Sequence, residues 1–350
     1  MIKQPPDHHH VSAYAQAGVD IDSKMSGIQI IKKMVGATAT KGVVGNIGAF
    51  GGLFRSPGKE FLLVASADGV GTKLKVAVLA KRHDTVGQDI VNHCVNDILV
   101  QGATPLFFLD YIGAARFETD VFKDVISGLC KACKENGCAL LGGETAEMPG
   151  LYPQGEYDLV GTIIGMVNSK KIITGEKIKP GDVIIGLPSG GLQTNGFSLA
   201  RKVIFDKCGL MPQDLIPGTR SSVADTLLAV HRSFLKPVQA LIDKVPIQGM
   251  AHITGGGFVD NIPRVLPKNC NAVINRNSWT VPTVFTFIGR QGRVDHDEMY
   301  RVFNMGIGYV IIVRSKDATA AMSLLKTRKQ APVIIGVIEK GHKKVVFRDC

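Results

Sequence analysis

Apolar runs of two lengths alternate along this chain, and that alternation limits its fold more than any other feature of the sequence. The short runs have the length of buried strands, and the longer runs carry apolar residues at helical spacing. In the first half the strand-like runs are Phe61–Ala67, Leu106–Ile112, Cys138–Leu141 and Asp158–Val167, and the helix-like runs are Leu74–Arg82, Gln88–Gln101 and Asp120–Glu135. Alternating strands and helices predict an α/β (α+β) fold.

A second series of the same kind begins at Asp182. It consists of Asp182–Leu187, Phe197–Lys207, Thr226–Ile242, Asp297–Asn304, Met305–Val313, Ala318–Lys326 and Pro332–Glu339. The polar stretch Asn168–Pro180 separates the two series and is followed by glycine, which is typical of a linker. A chain of 350 residues is also too long for one ordinary core. We therefore expect two α/β domains, at residues 1–170 and 171–350.

The composition excludes several classes of protein. Hydrophobic residues make up 45% of the chain and charged residues 20%, which favours a folded protein over a disordered one. No apolar run reaches the roughly 18 residues that a membrane helix needs, and the start of the chain contains no secretory signal, so we expect a cytoplasmic protein. The net charge of +11 permits nucleic-acid binding, but the basic residues are scattered and form no recognisable module. We expect anionic metabolites as partners, and neither a membrane nor a nucleic acid.

Carboxylates stand beside glycines where two strands are predicted to end. Asp68 leads into residues 69–73, which read Gly-Val-Gly-Thr-Lys, and Glu144 and Glu147 lie in the stretch Gly142–Gly150 after an apolar run. Glycine lets the backbone approach a ligand closely, and carboxylates bind metal ions that carry phosphates. The segment of Asp68 also has an ordinary interpretation, as a turn with Asp68 as helix cap, whereas Glu144 and Glu147 are expected in a loop at the end of a short buried strand. Together the two segments predict a metal–phosphate site.

The helix-like run Gln88–Gln101 carries a carboxylate where burial is expected. Apolar residues surround most of its circumference, so Asn96 and Asp97 should be largely buried. A buried carboxylate must be paired, hydrogen-bonded or bound to a metal. Asp97 is therefore a candidate functional residue. The alternative, a structural hydrogen bond, applies more strongly to Asn96.

Three further loops are rich in glycine. Gly45–Gly52 contains four glycines in eight residues, although it matches neither a Walker A loop nor Gly-x-Gly-x-x-Gly. In the second half Ser189–Gly196 and Thr254–Gly257 each precede a helix-like run, and such loops at helix N-termini are suited to phosphate groups. No nucleophile elbow is present, so covalent hydrolysis is not indicated.

Taken together, these segments resemble the phosphoribosylformylglycinamidine cyclo-ligases nearly end to end. The shared strings are long and unusual, which makes the resemblance specific. They are Tyr14-x-x-Ala17-Gly18-Val19-Asp20-Ile21-Asp22, Asp68–Lys73, Cys94-Val-Asn-Asp-Ile98, Pro105–Tyr111, Gly142–Gly150, His252-x-Thr-Gly-Gly-Gly257, Asn261–Pro267 and Glu298-Met-Tyr-Arg301. The resemblance implies ATP-dependent cyclisation of formylglycinamidine ribonucleotide to aminoimidazole ribonucleotide in purine biosynthesis, through a phosphorylated formamide oxygen. It also implies two α/β domains and a homodimer formed through the sheet of the first.

The resemblance further implies roles for individual residues, with ATP and Mg²⁺ as cofactors. The implied metal ligands are Asp68, Asp97 and Glu144. The implied catalytic residues are Lys32, Lys73, Asp97 and Gln193. The nucleotide is expected at Gly45, Gly48, Gly51, Gly52, Asp68, Gly69, Gly71, Thr72, Asn96, Gly143 and Glu144. The ribonucleotide substrate is expected at Ser189, Gly191, Asn195, Thr254, Gly255 and Gly256.

One position departs from the family pattern. The substrate loop of the family usually reads Ser-Ser-Gly-x-His-Ser-Asn-Gly, whereas residues 189–196 here read Ser-Gly-Gly-Leu-Gln-Thr-Asn-Gly, so Gln193 replaces a histidine. Glutamine donates and accepts hydrogen bonds but does not titrate near neutral pH. We expect Gln193 to position the substrate. If that position instead carries a proton, the enzyme is slower or uses another group.

Other interpretations stay open at the level of the sequence. Related families include selenophosphate synthetase, thiamine-monophosphate kinase and a hydrogenase maturation protein. The first needs a reactive cysteine near its N-terminus, whereas the first cysteine here is Cys94; the last ends in a functional cysteine, and this chain ends at Cys350. The segments Glu144–Gly150 and Asn261–Pro267 favour the cyclo-ligase. A non-catalytic basic binding protein is the alternative from a different class, but such a scaffold has no need of buried carboxylates.

Overall fold

The computed structural model describes residue 32 and residues 34–41, 43–44, 53–54 and 60–349. Two sheets, each with its own helices, make up most of this part of the chain, which confirms the expected fold class. The strands β1 (Val43–Val44) and β2 (Leu53–Phe54) form a separate antiparallel pair. The predicted nucleotide contacts Gly45, Gly48, Gly51 and Gly52 lie outside the described residues.

The first unit is built on a four-stranded sheet. Its strands are β3 (Phe61–Gly69), β4 (Thr104–Ala114), β5 (Ala139–Glu147) and β6 (Tyr157–Asn168), in the order β3-β6-β4-β5. Only β4 and β5 run parallel. From residue 60 onwards its helices are α1 (Lys73–Ala80), α2 (Val86–Leu99) and α3 (Thr119–Asn136).

Helix α2 packs against the sheet on one side and against α3 on the other. A Cβ at Gly161 of β6 would lie 2.8 Å from Ile90 of α2, and a Cβ at Gly87 would lie 2.2 Å from the carbonyl oxygen of Val125 in α3. Real Cβ atoms do not approach other atoms this closely, so glycine at these points lets the elements come together. The helix is thus enclosed within the molecule.

The opposite face of the first sheet is apolar and partly exposed. Paired residues on neighbouring strands share a face of the sheet, and one such row joins Ala65, Ile164 and Phe107. The next row joins Leu63, which is 63% exposed, to the half-buried Met166. An apolar sheet face that is accessible in one chain is a surface suited to another protein chain.

The second unit is built on a six-stranded sheet. Its strands are β7 (Val183–Pro188), β8 (Ile247–His252), β9 (Cys270–Asn275), β10 (Ile307–Val313), β11 (Val333–Lys340) and β12 (Val345–Arg348), in the order β12-β9-β11-β7-β10-β8. Only the β12–β9 pair is parallel. All seven residues of β10 are buried, so this sheet is covered on both faces.

Seven helices accompany this sheet. They are α4 (Phe197–Arg201), α5 (Val223–Leu227), α6 (Leu235–Ile242), α7 (Gly257–Asn261), α8 (Thr283–Gly292), α9 (His296–Val302) and α10 (Ala318–Thr327). A π-helical turn, Lys202–Lys207, continues α4, and a 3₁₀ turn, Ile262–Val265, continues α7. Within the described residues no helix has the length and apolarity needed to cross a membrane.

Two segments differ from their prediction. Thr226–Ile242 is not one helix, because residues 228–234 are irregular and separate α5 from α6. Glu144 and Glu147 lie on a strand and not in a loop, since β5 continues alongside β4 and pairs these residues with Tyr111 and Ala114. Neighbours distant in the sequence cause both differences, which local patterns do not reveal.

Candidate active site

Five polar residues of α2 form a stripe along the helix. Their spacing of i, i+3, i+4, i+7 and i+8 places them on one face of a helix. The stripe consists of Asp89, Asn92, His93, Asn96 and Asp97. All of these except Asp97 are buried. Because the side chains of the stripe contact residues of the second unit, they join the two units.

At the inner end of the stripe Asp89 forms a fully buried ion pair. Its Oδ2 lies 2.7 Å from Nζ of Lys73, and both side chains have no exposed surface. Nζ also donates to the carbonyl oxygens of Gln193 at 3.0 Å and Ala229 at 2.8 Å. An ammonium group has three donors, and all three are engaged. The expectation that Lys73 contacts a phosphate is therefore corrected: it ties α1 to the second unit.

The pKa values of this pair are shifted in opposite directions. Burial lowers the pKa of Lys73 and raises that of Asp89, because each charged form loses its hydration. The attraction between the two groups opposes both shifts. Because each group compensates for the lost hydration of the other, the pair is stable only while both members are present.

The middle of the stripe holds the irregular segment 228–234 in place. Asn96 donates through Nδ2 to the carbonyl oxygen of Arg232 at 2.8 Å and accepts the backbone N–H of Phe234 at 2.9 Å. Asn92 donates to the carbonyl oxygen of His231 at 2.7 Å. The amide of Asn96 thus satisfies backbone groups, and the expectation that it contacts the nucleotide is corrected in favour of the structural alternative.

At the outer end of the stripe two carboxylates meet two imidazoles. His252 Nδ1 lies 2.7 Å from Asp97 Oδ1, and His93 Nε2 lies 2.8 Å from Asp68 Oδ2 and 3.6 Å from Asp97 Oδ2. Ser66 also donates to Asp97, at 3.2 Å. Unlike the inner pair, these carboxylates reach solvent, Asp68 being 44% and Asp97 28% exposed. Asp68 caps no helix, since its Oδ1 accepts the N–H of the next residue.

Both carboxylates are held in the ionised form. Burial alone would raise the pKa of Asp97, but the hydrogen bond from His252 and the attraction of the two imidazoles outweigh it and lower that pKa. Burial is likewise outweighed at Asp68, where the contact with His93 lowers the pKa. Ionised carboxylates in a solvent-accessible cleft suit a hard cation.

A third imidazole, that of His231, continues the cluster away from the cleft. Its Nε2 lies 3.0 Å from Nε2 of His252, and its Nδ1 lies 3.2 Å from Oγ1 of Thr194. Thr194 in turn contacts Nδ1 of His93 at 2.7 Å. The sequence did not identify these histidines and Thr194 as members of one cluster, because they come from distant segments. For His93 a signal was available, since it lies four residues before Asp97 on the same helix.

The three imidazoles differ in their pKa values. Burial would lower the pKa of His93, but its hydrogen bond to Asp68 and the nearby carboxylates raise it above the usual value. Burial lowers the pKa of His231 well below that value, and positive charge on the neighbouring imidazoles would lower it further. Burial also lowers the pKa of His252, although Asp97 opposes the shift. One imidazole of the three thus favours the charged form.

The outer end of the stripe opens into a cleft of about 610 Å³ between the two units. That volume is within the range of small-molecule sites. Of the predicted site residues, it is lined by Asp68, Asp97, Asn195, Thr254 and Gly255. His252, Asn261 and Arg264 line it as well, and Arg264 adds a positive charge. The structure therefore brings residues from both predicted halves of the site around one space.

Other residues of the predicted substrate loop serve its internal structure. Ser189 is buried and donates to the carbonyl oxygen of Gly191 at 2.8 Å, and Asn304 donates to the same oxygen. Gln193 is only 3% exposed and packs against Asn304 and Gly308. None of these three loop residues is among those that line the cleft. The expected substrate contacts of Ser189 and Gly191, and the expected role of Gln193, stay predictions.

The glycine turns at the ends of β3 and β8 have the conformations that glycine permits. Gly71 has φ +69° and, apart from its two chain neighbours, no described residue lies within 4 Å of the position that a Cβ would take there. Gly256 has φ +90° and directly precedes α7. Gly69 ends β3, and Thr72 contacts Ser198 of α4 through its hydroxyl at 3.1 Å. Gly256 borders a second, more open concavity next to the cleft. These turns keep the backbone near the cleft free of bulky side chains.

Two predicted residues lie on the far edge of the first sheet. Glu144 is on β5, three strands from β3, which corresponds to ~14 Å at ~4.8 Å per strand. One ion does not span that distance, so the expected metal site shared by Glu144, Asp68 and Asp97 is corrected for a single chain. Gly143 has a packing reason, since a Cβ there would lie 2.3 Å from the carbonyl oxygen of Asp110. Lys32 is exposed and does not line the cleft.

Among the described residues one group of side chains has ligand atoms close enough for a metal ion. The ligand atoms of His93, Asp97 and His252 lie within 4.8 Å of one another. The imidazole nitrogens of this group are engaged by the carboxylates of Asp97 and Asp68. Each carboxylate oxygen has a further lone pair, so Asp68 and Asp97 are the groups here that suit a hard cation such as Mg²⁺.

Comparison of the sequence with protein families gives two matches. The family described as AIR synthase related protein, N-terminal domain, matches residues 51–167. The family described as AIR synthase related protein, C-terminal domain, matches residues 179–349. Together the two matches span most of the chain.

Curated relatives match over nearly their whole length. The phosphoribosylformylglycinamidine cyclo-ligase of Alkaliphilus metalliredigens is 44% identical over 337 residues, which cover 95% of this chain and 97% of the relative. That of Syntrophus aciditrophicus is 48% identical over 340 residues, which cover 96% of this chain and 98% of the relative.

Solved structures of lower identity share the fold. A hydrogenase maturation protein in complex with ATP superimposes with a TM-score of 0.69 at 17% identity, covering 93% of this chain and 92% of that one. Thiamine-monophosphate kinase from Stenotrophomonas maltophilia superimposes with a TM-score of 0.68 at 16% identity, covering 91% of this chain and 95% of that one.

Proposed function

We infer the function of this protein from one premise: the chain belongs to the phosphoribosylformylglycinamidine cyclo-ligase family. It is an enzyme, an ATP-dependent cyclo-ligase that converts formylglycinamidine ribonucleotide to aminoimidazole ribonucleotide in purine biosynthesis. The cleft carries the details of the proposal, because ionised Asp68 and Asp97 of the first unit line it together with Asn195 and Thr254 of the second. Transfer of a phosphoryl group to a bound substrate needs the metal-binding carboxylates and the substrate-binding residues around the same space. We place the reaction in the cytoplasm.

The proposed chemistry turns a poor leaving group into a good one. The formamide oxygen of the substrate takes the γ-phosphoryl group of ATP, and ADP is released. The amidine-side nitrogen then attacks the formamide carbon, the C–O bond breaks, and phosphate departs as the imidazole ring forms. This sequence needs charge neutralisation at the transferring group and close positioning of the two reacting atoms.

Mg²⁺ is the proposed metal, and it would neutralise charge on the phosphoryl oxygens when bound. Asp68 and Asp97 would hold it, because both present ionised oxygens to the cleft. His252 orients Asp97 through a hydrogen bond of 2.7 Å, and Nε2 of His93 lies 2.8 Å from Asp68, at ion-pair distance. Groups that orient metal ligands in this way affect metal affinity and activity.

The second unit would bind the ribonucleotide. Asn195 and Thr254 offer polar side chains to the cleft, and Gly255 leaves its backbone accessible there. Arg264 brings the positive charge that a phosphate group on the ribose requires. These residues come from three separate segments of the second unit, so they surround a ligand rather than contact one side of it.

The enzyme is proposed to be a homodimer formed through the apolar face of the first sheet. Leu63 on that face is 63% exposed, which is unusual for a large apolar residue on a strand. Leu63→Lys should convert the dimer to a monomer in sedimentation velocity. Leu215→Lys, at a residue 57% exposed in the second unit, should leave the dimer intact. A wild-type protein that sediments as a monomer would refute this part of the proposal.

The activity itself is tested by measuring ADP release from Mg-ATP with formylglycinamidine ribonucleotide, against a blank without substrate. Aminoimidazole ribonucleotide is assayed in parallel. ADP release that depends on the substrate and equals the aminoimidazole formed supports the proposal. A folded protein that binds ATP but forms no aminoimidazole contradicts it.

A further inference from the structure

The loop of residues 189–196 lacks the histidine that the family pattern has at position 193, yet an imidazole reaches this loop from elsewhere. Gln193 is buried against Gly308 and Asn304. The next residue, Thr194, contacts Nδ1 of His231 at 3.2 Å. His231 belongs to the irregular segment 228–234, and its side chain is fully buried.

His231 stands in the middle of a continuous series of close contacts between polar side-chain atoms. In one direction its Nε2 contacts Nε2 of His252 at 3.0 Å, and His252 contacts Asp97 at 2.7 Å. In the other direction its Nδ1 contacts Thr194, which contacts His93 at 2.7 Å, and His93 contacts Asp68 at 2.8 Å. The series therefore begins and ends at the two carboxylates of the cleft.

The carboxylate of Asp97 fixes the direction of the first bonds. An ionised carboxylate only accepts hydrogen bonds, so Nδ1 of His252 donates to Asp97. A neutral imidazole has one donor and one acceptor, so Nε2 of His252 must accept. The partner of that nitrogen is Nε2 of His231, which must therefore carry its hydrogen.

The remaining bonds follow from the same rule. Nδ1 of His231 accepts, so the hydroxyl of Thr194 donates to it and itself accepts from Nδ1 of His93. Nε2 of His93 lies 2.8 Å from Oδ2 of Asp68, an ion-pair distance without hydrogen-bond geometry. A lone pair on that nitrogen would face the ionised carboxylate, so we expect His93 to be doubly protonated.

We propose that His231 is a positioning residue, which by donating to Nε2 of His252 holds His252 in the tautomer that donates to Asp97. This role rests on the proposed function, since it matters to turnover only if Asp97 acts in the cleft. Its effect reaches the substrate through His252 and Asp97, because His231 does not line the cleft.

The backbone of His231 is held independently of its side chain. Its N–H donates to Asp89 at 2.7 Å, and its carbonyl oxygen accepts from Asn92 at 2.7 Å. Substitution of the imidazole therefore leaves the anchoring of the segment in place. The side chain can be tested with little disturbance of the fold.

Three substitutions separate positioning from packing. His231→Gln places an amide nitrogen near the position of Nε2, His231→Asn places one near Nδ1, and His231→Leu removes both contacts. We expect the Leu and Asn variants to lose about 10- to 100-fold in kcat, as for other groups that orient functional ligands, with KM changed less than about threefold. The Gln variant should retain most of the activity. Equal losses in all three variants, or losses that follow thermal stability, would overturn the proposal.

A measurement without turnover tests the network independently of the cyclo-ligase activity. In ¹⁵N-histidine spectra of the full-length protein, His231 should carry its hydrogen on Nε2, His252 on Nδ1 and His93 on both nitrogens. In His231→Leu the signal of His252 should change to a mixture of tautomers. A His231 protonated at Nδ1 in the wild type refutes the assignment. An inactive wild type with the expected spectra would instead refute only the proposed function.

Discussion

The two ends of the polar stripe on α2 carry similar side chains in different surroundings. At the inner end Asp89 and Lys73 are fully buried, and every donor of the ammonium group is engaged. At the outer end Asp97 and Asp68 are partly exposed and keep acceptor capacity towards the cleft. The charges at one end of this buried helix thus have internal partners only. At the other end they face a solvent-accessible space, where we propose that they take part in the chemistry.

The inner pair should show the largest effect, and the effect should be on stability. Lys73→Met leaves the carboxylate of Asp89 buried without its cation, which typically costs about 3–5 kcal/mol of unfolding free energy. Chemical denaturation of the variant measures this loss. Lys75→Met is the control on the same helix, because Lys75 is paired with Glu156 at the surface and such pairs contribute about 0–1 kcal/mol. Equal stability of the two variants would mean that the inner pair is not structural.

The outer end should show the next largest effect, and here the effect should be on turnover. Asp97→Asn keeps the shape of the side chain but removes its charge, and loss of such an electrostatic contact typically lowers kcat by about 10²- to 10³-fold. Steady-state kinetics and denaturation are compared with those of Asp84→Asn, at an exposed carboxylate near Arg82. A variant that loses stability but retains kcat would show that Asp97, like Asp89, has a structural role.

The middle of the stripe should show a smaller effect on stability. Asn96→Ala leaves the buried backbone N–H of Phe234 without its partner, which costs about 1–3 kcal/mol, whereas its contact with the carbonyl oxygen of Arg232 is only partly buried. Denaturation measures the loss, with the exposed Gln154→Ala as the surface control. An unchanged free energy would show that the segment does not depend on α2.

The smallest effect is a dependence of stability on pH. His231 has a lowered pKa in the folded protein, so below about pH 6.5 the unfolded chain binds a proton there that the folded chain does not. Stability should therefore fall as the pH decreases from about 6.5, by about 1.4 kcal/mol per pH unit for this group. His231→Gln should reduce that slope in denaturation series between pH 7 and 5. An identical slope in both proteins would contradict a neutral, buried His231.

The sequence predicted the part of the site that local patterns determine. Asp97 could be identified because a carboxylate on an apolar helix has few explanations, and Asp68 because it ends a strand before a glycine turn. The relatives confirm the family to which the motifs pointed. The fold class is also confirmed, whereas the division at residue 170 stays a prediction.

The remainder of the site depends on contacts between distant segments. His231 was hidden in a segment that the periodicity assigned to a helix, and only the side chains of α2 explain why that segment is irregular. Glu144 was assigned to the metal site because strand order cannot be derived from strand content. Lys73 was assigned to a phosphate because its partner Asp89 lies on another helix.

The anchoring of segment 228–234 by α2 has a consequence for how the protein folds. The backbone groups of that segment find their partners on a helix of the other unit, and Lys73 adds contacts to two further carbonyl oxygens of the second unit. A segment bonded in this way cannot reach its final conformation while the other unit is unfolded. The first family match ends at residue 167 and the second begins at residue 179. This boundary separates the two matches in the sequence, but side-chain contacts still connect the two units. We therefore expect the two units to unfold together, as a single cooperative unit.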